Sequence, residues 1–300
     1  MIYAANLVKQ FHPNIRAIMC MMLAYVSFAM LNVTSKILYT ANLDPFVITF
    51  YRSFFCVLYS LPISILIFKN RTNFKFAKIN LYKGIIDFIS IPTWVMAVSY
   101  VNISQAVGLT YITPMLTAML AIVFLKDHFT KDKWLMMIIG MSGVYIILDP
   151  ETSNFNYYSI FAIISCVLWS TGNILTKKLS DNQHPVLIVF YTNLIICILS
   201  TPIFISKFQI LEPEVFMIAA LMAFFACSGY LFVAYACKFT KLSNIVPFDY
   251  FRLIFATIFA YIFFDQTIEL NTVVGSLIIF SSSLYLAKKH VLKPSIDKQL

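Results

Sequence analysis

The sequence predicts an all-α membrane protein with ten transmembrane helices, arranged as two inverted repeats of five helices, with both termini in the cytoplasm. Three observations lead to this fold class. Of the 300 residues, 60% are hydrophobic, only 12% are charged and the mean hydropathy is +0.83, which leaves too few polar side chains to cover a water-soluble globule. The apolar residues form runs of about 20, long enough to cross roughly 30 Å of hydrocarbon. The two halves of the chain also share a pattern of residues.

Ten apolar runs follow one another along the chain. Each is predicted to be a helix because it is about twice as long as a membrane-spanning strand. The runs cover residues 16–36, 45–68, 81–101, 104–125, 133–149, 157–177, 185–206, 214–237, 241–264 and 269–287. They divide the chain into a cytoplasmic tail at 1–15, a first five-helix repeat at 16–149, a second at 150–288 and a cytoplasmic tail at 289–300.

The basic residues predict the orientation of these helices, because loops rich in Lys and Arg stay in the cytoplasm. With the N-terminus inside, all but four of the 22 basic residues fall on the cytoplasmic side, and the segment Lys69–Lys83 alone holds five of them. The four exceptions are Lys36 and Lys207, on the outside, and Arg52 and Arg252, within spans. The formal net charge of +9 is therefore a topology signal, and no nucleic-acid partner is expected.

The internal repeat is visible near the ends of the first and sixth runs, which read LNVTSKIL at 31–38 and GNILTKKL at 172–179. Residues spaced four apart, and therefore on one helix face, recur in the second half: Phe28, Asn32 and Lys36 correspond to Trp169, Asn173 and Lys177. Because five is an odd number of crossings, the second repeat must enter the membrane in the opposite orientation. Inverted repeats are typical of many secondary transporters, whose substrate site lies between the halves near the midplane.

Three ionisable residues inside the spans are the first candidates for substrate binding: Arg52, Asp249 and Arg252. A charge at the centre of a span costs about 2.5 to 3.5 kcal/mol, so such residues need a partner or a function. Asp249 and Arg252 are three apart on the predicted helix, so they either neutralise each other or bind substrate. Arg52 has no such neighbour, although Asp87 or a water-filled cavity could neutralise it.

Four aromatic residues are predicted at mid-depth near these charges, where a ring could stack on a planar or cationic substrate: Trp94, Tyr111, Trp169 and Tyr250. Most of the other aromatic side chains are expected to pack against lipid or neighbouring helices.

Two prolines and two asparagines are candidates for helix breaks or gates. Pro114 and Pro247 each lack a backbone N–H inside a predicted span, which would free the carbonyls of Thr110 and Ser243. In transporters such breaks line binding sites or hinges, but membrane helices also carry purely structural prolines. Asn32 and Asn173 close the first and sixth spans at corresponding positions of the repeat.

Sequence motifs for catalysis are absent. The chain has no GxxxxGK[ST] motif for nucleotide binding and no HExxH, GxSxG or CxxC motif, and its four histidines lie in tails or at span ends. The six cysteines all lie within apolar runs and are interpreted as packing residues. The sequence therefore predicts neither an enzyme nor a metal or cofactor site.

The whole chain resembles the drug/metabolite transporter superfamily in its EamA-type branch. The resemblance rests on two repeats of five spans, the Asn and Lys that close spans one and six, FYR at 50–52, Pro114, and FLKD at 124–127. The stretch VPFDYFR at 246–252 is similar to the S-adenosylmethionine uptake group within that branch.

The resemblance implies a multi-pass protein of the bacterial inner membrane that transports a small organic metabolite by alternating access. Arg52, Asp249 and Arg252 sum to one positive charge, which favours a substrate with a carboxylate, most simply a zwitterion of the amino-acid or S-adenosylmethionine type. Proton coupling and exchange against a counter-substrate both remain open. So do two other functions: a membrane enzyme or lipid-carrier translocase, and a noncatalytic membrane subunit.

Overall fold

The computed structural model of the chain describes residues 12–68, 76–100, 110, 112–148, 158–208, 211–264 and 270–286. Within these residues the chain forms ten helices of 14 to 28 residues and one four-residue helix. The ten are α1 (Pro13–Thr40), α2 (Pro45–Phe68), α3 (Ala77–Tyr100), α4 (Ile112–Leu125), α5 (Lys131–Leu148), α6 (Ser159–Ser180), α7 (Pro185–Ser206), α8 (Pro213–Phe239), α9 (Phe251–Phe264) and α10 (Leu270–Leu286). No strand occurs in the described part of the chain.

Six of the described helices are long and apolar enough to cross a membrane by length and composition: α1, α2, α3, α6, α7 and α8. Shorter apolar stretches lie in α4, α9 and α10. Large apolar side chains cover the outer surface as well as the core, and Leu66, Val123, Met217 and Leu270 are each at least 70% exposed. Such a surface suits contact with lipid, and the all-helical membrane fold is confirmed for these residues. The count of ten spans stays a prediction.

Prolines fix where several helices start. α2 and α7 begin and end as predicted, and each starts at a proline, Pro45 and Pro185, where the missing N–H is not needed. At the start of α7, Nδ1 of His184 accepts a hydrogen bond from the Val186 backbone N–H at 3.4 Å. Burial, together with the positive charge of Lys238, lowers the pKa of His184, so the ring stays neutral and can accept this hydrogen bond.

The predicted continuous helix at 241–264 is wrong. The chain instead forms a four-residue helix, Leu242–Ile245, a 3₁₀ turn, Val246–Phe248, and a turn before α9. Pro247 lies inside the 3₁₀ turn, where its ring and its missing N–H prevent a regular helical hydrogen-bond ladder. As a result Asp249 lies in a turn, three residues before Arg252 in α9.

The expected helix break at Pro114 stays a prediction, because residues 101–109 and 111, which precede it in the predicted span 104–125, lie outside the described residues. Pro114 is the third residue of α4, and the first turn of a helix needs no N–H donor there. The carbonyl of Thr110, which was expected to be free, accepts a hydrogen bond from the Thr113 N–H at 2.8 Å. Within the described residues, Pro114 therefore lies at the start of a regular helix.

The helices pair in a pattern that recurs five helices later. The pair α1–α8 corresponds to α6–α3, and the pair α1–α9 corresponds to α6–α4. In the same way, the pair α3–α7 corresponds to α8–α2. The pairs α2–α7 and α5–α10 are their own counterparts under this shift. The matching residues Phe28 and Trp169 touch each other, with ring centroids 5.6 Å apart. Gly229 of α8 makes room for Phe28, since a Cβ there would lie 2.7 Å from its ring.

Candidate functional site

Trp169 of α6 lines each of three cavities between the helices in the part of the chain that the structure describes. The Asp249 cavity, lined by Asp249 and Arg252, has an empty volume of about 600 Å³. The Lys83 cavity, beside Lys83, encloses about 510 Å³. The two-arginine cavity, lined by Arg52 and Arg252, encloses about 450 Å³. The three cavities therefore lie around the side chain of Trp169.

Arg252 lies among aromatic rings. Its guanidinium carbon is 5.2 Å from the ring centroid of Trp94 and 5.7 Å from those of Phe28 and Trp169. The negative faces of aromatic rings attract a cation, more strongly where water is excluded. Trp94 and Trp169, which we expected to stack on a substrate, therefore hold an arginine of the protein itself, although both still line the two-arginine cavity.

Arg52 of α2 has an aromatic partner from α8. It donates a hydrogen bond to the Tyr230 hydroxyl, and its guanidinium carbon lies 5.1 Å from the centroid of the same ring. The side chain is buried, with 3% of its residue surface exposed. Tyr230 also contacts Phe28 and Trp169, at 5.5 and 5.7 Å between ring centroids. Sequence reasoning missed Tyr230, because nothing in α8 distinguishes it from the many other aromatic residues in the spans.

Both arginines keep unsatisfied hydrogen-bonding capacity. Among the described residues, neither guanidinium forms an ion pair, and the Nε of each is buried without a hydrogen-bond partner. Buried charges normally have a partner, and unpartnered ones at a cavity wall are candidates for ligand binding. The two-arginine cavity therefore offers two cationic donors to one ligand.

Asp249 does not pair with Arg252 through its side chain. Its carboxylate accepts a hydrogen bond from the Tyr25 hydroxyl of α1 at 2.5 Å, and the two residues are 224 positions apart. The two side chains therefore form no direct ion pair, and mutual neutralisation and substrate binding both stay predictions. The turn before α9 directs the carboxylate to Tyr25, whereas Arg252 reaches the aromatic rings.

The two asparagines of the repeat both lie at cavity walls. Asn32 of α1 accepts a hydrogen bond from the indole N–H of Trp94 at 3.0 Å and lines the two-arginine cavity. Asn173 of α6 lines the other two cavities. Asn32 thereby fixes the orientation of the ring over Arg252.

A buried ion pair that the sequence analysis did not identify lies in α3. Lys83 Nζ and Asp87 Oδ2 are 2.5 Å apart, and both residues are buried. We expected Lys83 in a cytoplasmic loop, but α3 begins at Ala77, four residues earlier than predicted, so Lys83 lies in its second turn. The spacing of four brings the two side chains together on one helix face. Asp87 therefore neutralises Lys83, not Arg52.

Of the other two predicted aromatic residues, the described one, Tyr250, does not line these cavities. Tyr250 is 1% exposed, and its hydroxyl donates to the Met137 carbonyl at 3.0 Å. Its ring packs on Gly140, where an added Cβ would lie 2.7 Å away, so Tyr250 joins the break before α9 to α5. Tyr111 lies outside the described residues.

A second polar region joins the segment between α8 and α9 to its neighbours, and we refer to it as the polar clamp. Lys133 donates to Asn244 at 2.8 Å and to Ser243 at 3.1 Å, while Asp127 accepts from the Ser243 backbone N–H at 3.2 Å. The other members are Asn14, Thr240 and Lys241, which contact Asn244 or Asp127. The clamp therefore links the start of α1 and the α4–α5 connection to the broken helix that carries Asp249.

Comparisons with known proteins identify relatives of the whole chain. The EamA-like transporter family matches residues 15–149 and again residues 156–287. The S-adenosylmethionine uptake transporter of Rickettsia prowazekii (strain Madrid E) is 23% identical over 267 residues, which cover 88% of this chain and 90% of that protein. The protein with the same name from Rickettsia bellii (strain RML369-C) is 25% identical over 268 residues, covering 88% of this chain and 91% of that protein.

Another relative carries a different name. The riboflavin transporter of Rhizobium johnstonii (strain DSM 114642 / LMG 32736 / 3841) is 24% identical over 282 residues, which are 90% of each chain. One solved crystal structure is similar with a TM-score of 0.64 and 12% identity, over 92% of this chain and 99% of that chain. That likeness concerns the fold alone. The names of these relatives indicate transporters and favour neither the membrane enzyme nor the noncatalytic subunit.

Proposed function

Because the chain belongs to the EamA-like transporter family and is a multi-pass bacterial membrane protein, we propose that it is a secondary transporter of a small organic metabolite, working by alternating access. Relatives named for S-adenosylmethionine uptake and for riboflavin transport support a small-molecule substrate. Their identities of 23% to 25% do not transfer either substrate to this chain.

The substrate in this proposal carries a carboxylate. The carrying observation is that Arg52 and Arg252 line one cavity and that each keeps a buried Nε without a hydrogen-bond partner among the described residues. A carboxylate can accept hydrogen bonds from two guanidinium groups, and such charge-assisted bonds are strong where water is excluded. Arg52, Arg252 and Asp249 together carry one positive charge, which a bound carboxylate completes. A zwitterion could place its ammonium or sulfonium group toward Asp249.

Alternating access is supported by the way the helices pair. Every principal contact between helices has a counterpart five helices on, as expected for two related halves. Phe28 and Trp169, at corresponding positions of these halves, meet beside the cavities. In this proposal the halves are inverted and rock about the cavities around Trp169, and the broken segment 242–250 carries Asp249 at the edge of one of them.

The proposed topology places both termini in the cytoplasm. Two exposed turns test it: Asn42 lies between α1 and α2, and Asn182 lies between α6 and α7. In a variant without the six native cysteines, an impermeant thiol reagent applied to intact cells should label Asn42→Cys but not Asn182→Cys. The reverse pattern would contradict the orientation. Labelling of both, or of neither, would contradict the placement of these turns on opposite sides.

Uptake into proteoliposomes tests the substrate proposal. The wild type should take up a radiolabelled zwitterion such as S-adenosylmethionine, and Arg52→Gln should lower the rate by about tenfold or more, because charge-assisted hydrogen bonds are lost. Lys207→Gln is the matched control, since Lys207 is a half-exposed cation at the end of α7 that pairs with Asp44 and lines none of the three cavities. Normal uptake by folded Arg52→Gln, or a wild type that transports only molecules without an anionic group, would overturn the proposal.

A further inference from the structure

The Lys83 cavity has no role in the carboxylate site described above. Its polar wall includes the Lys83–Asp87 ion pair from α3 and Thr192 and Asn193 from α7, together with Asn173 and Thr176 from α6 and Tyr230 from α8. Ile91, Ile188 and other apolar side chains form most of the remaining wall. Lys83, Asp87, Thr192 and Asn193 are each at least 93% buried, so these polar side chains lie beside the arginine site with little access to solvent.

The charge of this cavity differs from that of the arginine site. Lys83 and Asp87 are 2.5 Å apart and neutralise each other, so their cavity carries no net charge. A bound ion would leave a charge without a counterion, which is costly in a low-dielectric site. The amine and carboxylate of a zwitterion would have to compete with a short ion pair that is already formed. The cavity therefore favours a ligand group that is polar but uncharged.

The hydrogen-bonding capacity left in this cavity is mixed. An ammonium group has three hydrogen-bond donors, and Lys83 uses one of them on Oδ2 of Asp87. The other carboxylate oxygen of Asp87, Oδ1, lies close to Gly172, 2.9 Å from the position that a Cβ atom would take there. Within the described residues, Thr192 Oγ1 and Asn193 Oδ1 are buried without hydrogen-bond partners. Buried polar groups in native proteins are usually satisfied, so these orphaned atoms point to a ligand. A group that pairs with them must present donors and acceptors side by side.

The walls shared with the other cavities are aromatic. Trp169 lines all three cavities, and Tyr230, which holds Arg52, lines both the Lys83 cavity and the two-arginine cavity. Flat rings favour a flat ligand group, and the shared walls make the Lys83 cavity and the two-arginine cavity neighbours.

We propose that the Lys83 cavity binds the uncharged, hydrogen-bonding edge of a planar heterocycle, carried by the same substrate whose carboxylate binds between Arg52 and Arg252. This assignment rests on the proposed transport function. It specifies the substrate as a molecule with two unlike ends, an anionic end and an uncharged heterocyclic end.

Binding of two fragment probes tests the proposal. Adenosine represents the uncharged heterocycle and methionine the zwitterion, and the affinity of purified full-length protein for each is measured by equilibrium dialysis. Lys83→Met/Asp87→Leu removes the ion pair without leaving a lone charge, and buried pairs replaced in this way are often tolerated. It should weaken adenosine binding by about tenfold or more and leave methionine binding unchanged. Arg52→Gln should weaken methionine binding and leave adenosine binding unchanged.

The matched control is Lys177→Met/Asp181→Leu. This pair has the same residue types and the same spacing of four, with 2.6 Å between its charged atoms, but it lies at the end of α6 and lines none of the three cavities. It should change neither affinity. If Lys83→Met/Asp87→Leu does not fold, Thr192→Val replaces it, because this near-isosteric change removes only an unpartnered hydroxyl and should also weaken adenosine selectively.

The outcomes separate this inference from the transport function. Absence of saturable adenosine binding to the wild type, or a pair variant that weakens methionine and spares adenosine, would overturn the heterocycle site even if uptake is observed. Failure of the wild type to take up any metabolite would overturn the transport function, while the adenosine result would remain readable. Selective loss of adenosine binding in the pair variant, with an unchanged control, would support the site.

Discussion

The arginine site and the polar clamp both place cations inside the bundle, but they treat those cations differently. In the clamp, Lys133 donates to Ser243 and Asn244, and Asp127 accepts from a backbone N–H. At the arginine site, Arg52 and Arg252 contact the faces of aromatic rings and keep a buried Nε without a partner. The clamp uses its charges to hold segments together, whereas the arginine site keeps hydrogen-bonding capacity for a ligand.

The difference shows how to recognise a functional charge in a membrane bundle. Burial alone does not separate the two regions, because Arg52 and Lys133 are both buried. The partners separate them, since a cation whose donors are satisfied by protein has little to offer a ligand. Stability measurements should therefore respond strongly to changes in satisfied charges and weakly to changes at the arginines, while uptake should respond in the reverse order.

The largest loss of stability is expected where a satisfied buried pair is broken. Lys83→Met leaves Asp87 buried without its counterion and should lower the free energy of unfolding by about 3–5 kcal/mol. Thermal unfolding in detergent micelles, followed by tryptophan fluorescence, measures this change. The double variant Lys83→Met/Asp87→Leu should recover most of it. A single variant as stable as the wild type would show that the pair contributes nothing.

A smaller loss is expected in the clamp. Asp127→Leu removes the acceptor of the Ser243 N–H and the partner of Lys241, and should lower the free energy of unfolding by about 1.5–3 kcal/mol, the usual range for a hydrogen bond to a charged group. The same unfolding assay measures it. Unchanged stability would remove the contrast between the clamp and the arginine site.

Stability should change little at the arginine site. In Arg252→Met, the lost attraction to the aromatic rings, about 2 kcal/mol where water is excluded, is offset by removal of a buried charge, so the net change should stay within about 1 kcal/mol. Uptake in proteoliposomes should nevertheless fall at least as far as in Arg52→Gln. Destabilisation equal to that of Asp127→Leu, with uptake per folded molecule intact, would make Arg252 a structural residue.

The smallest effect is expected at the surface. Lys207 and Asp44 form an ion pair at 2.6 Å in which the lysine side chain is 48% exposed and the aspartate 29%. Exposed pairs contribute about 0–1 kcal/mol because solvent screens them. Lys207→Gln should therefore unfold within that margin of the wild type and keep normal uptake. A loss of stability comparable to that of Lys83→Met would show that solvent exposure does not determine how much these charged residues contribute to the free energy of unfolding.

Parts of the site could be predicted from single residues, and other parts could not. Arg52, Arg252, Trp94 and Trp169 all line the cavities, as their positions within apolar runs suggested. The residues that contact them could not be predicted from the sequence in the same way. Tyr230 looks like any other aromatic residue of an apolar helix, and Lys83 looks like a loop residue until the start of α3 is known.

The sequence by itself determined the class of the protein, because the length and apolarity of the runs depend on composition and on the thickness of a membrane. It also determined the bounds of α2 and α7, where proline fixes the first turn. The tertiary structure alone decided which charges meet. Asp249 and Arg252 are three residues apart, yet Asp249 bonds to Tyr25, 224 positions away, and Arg252 lies among rings from three other helices. Local spacing predicts such partners only within a regular helix, and the break at Pro247 ends that regularity before Asp249.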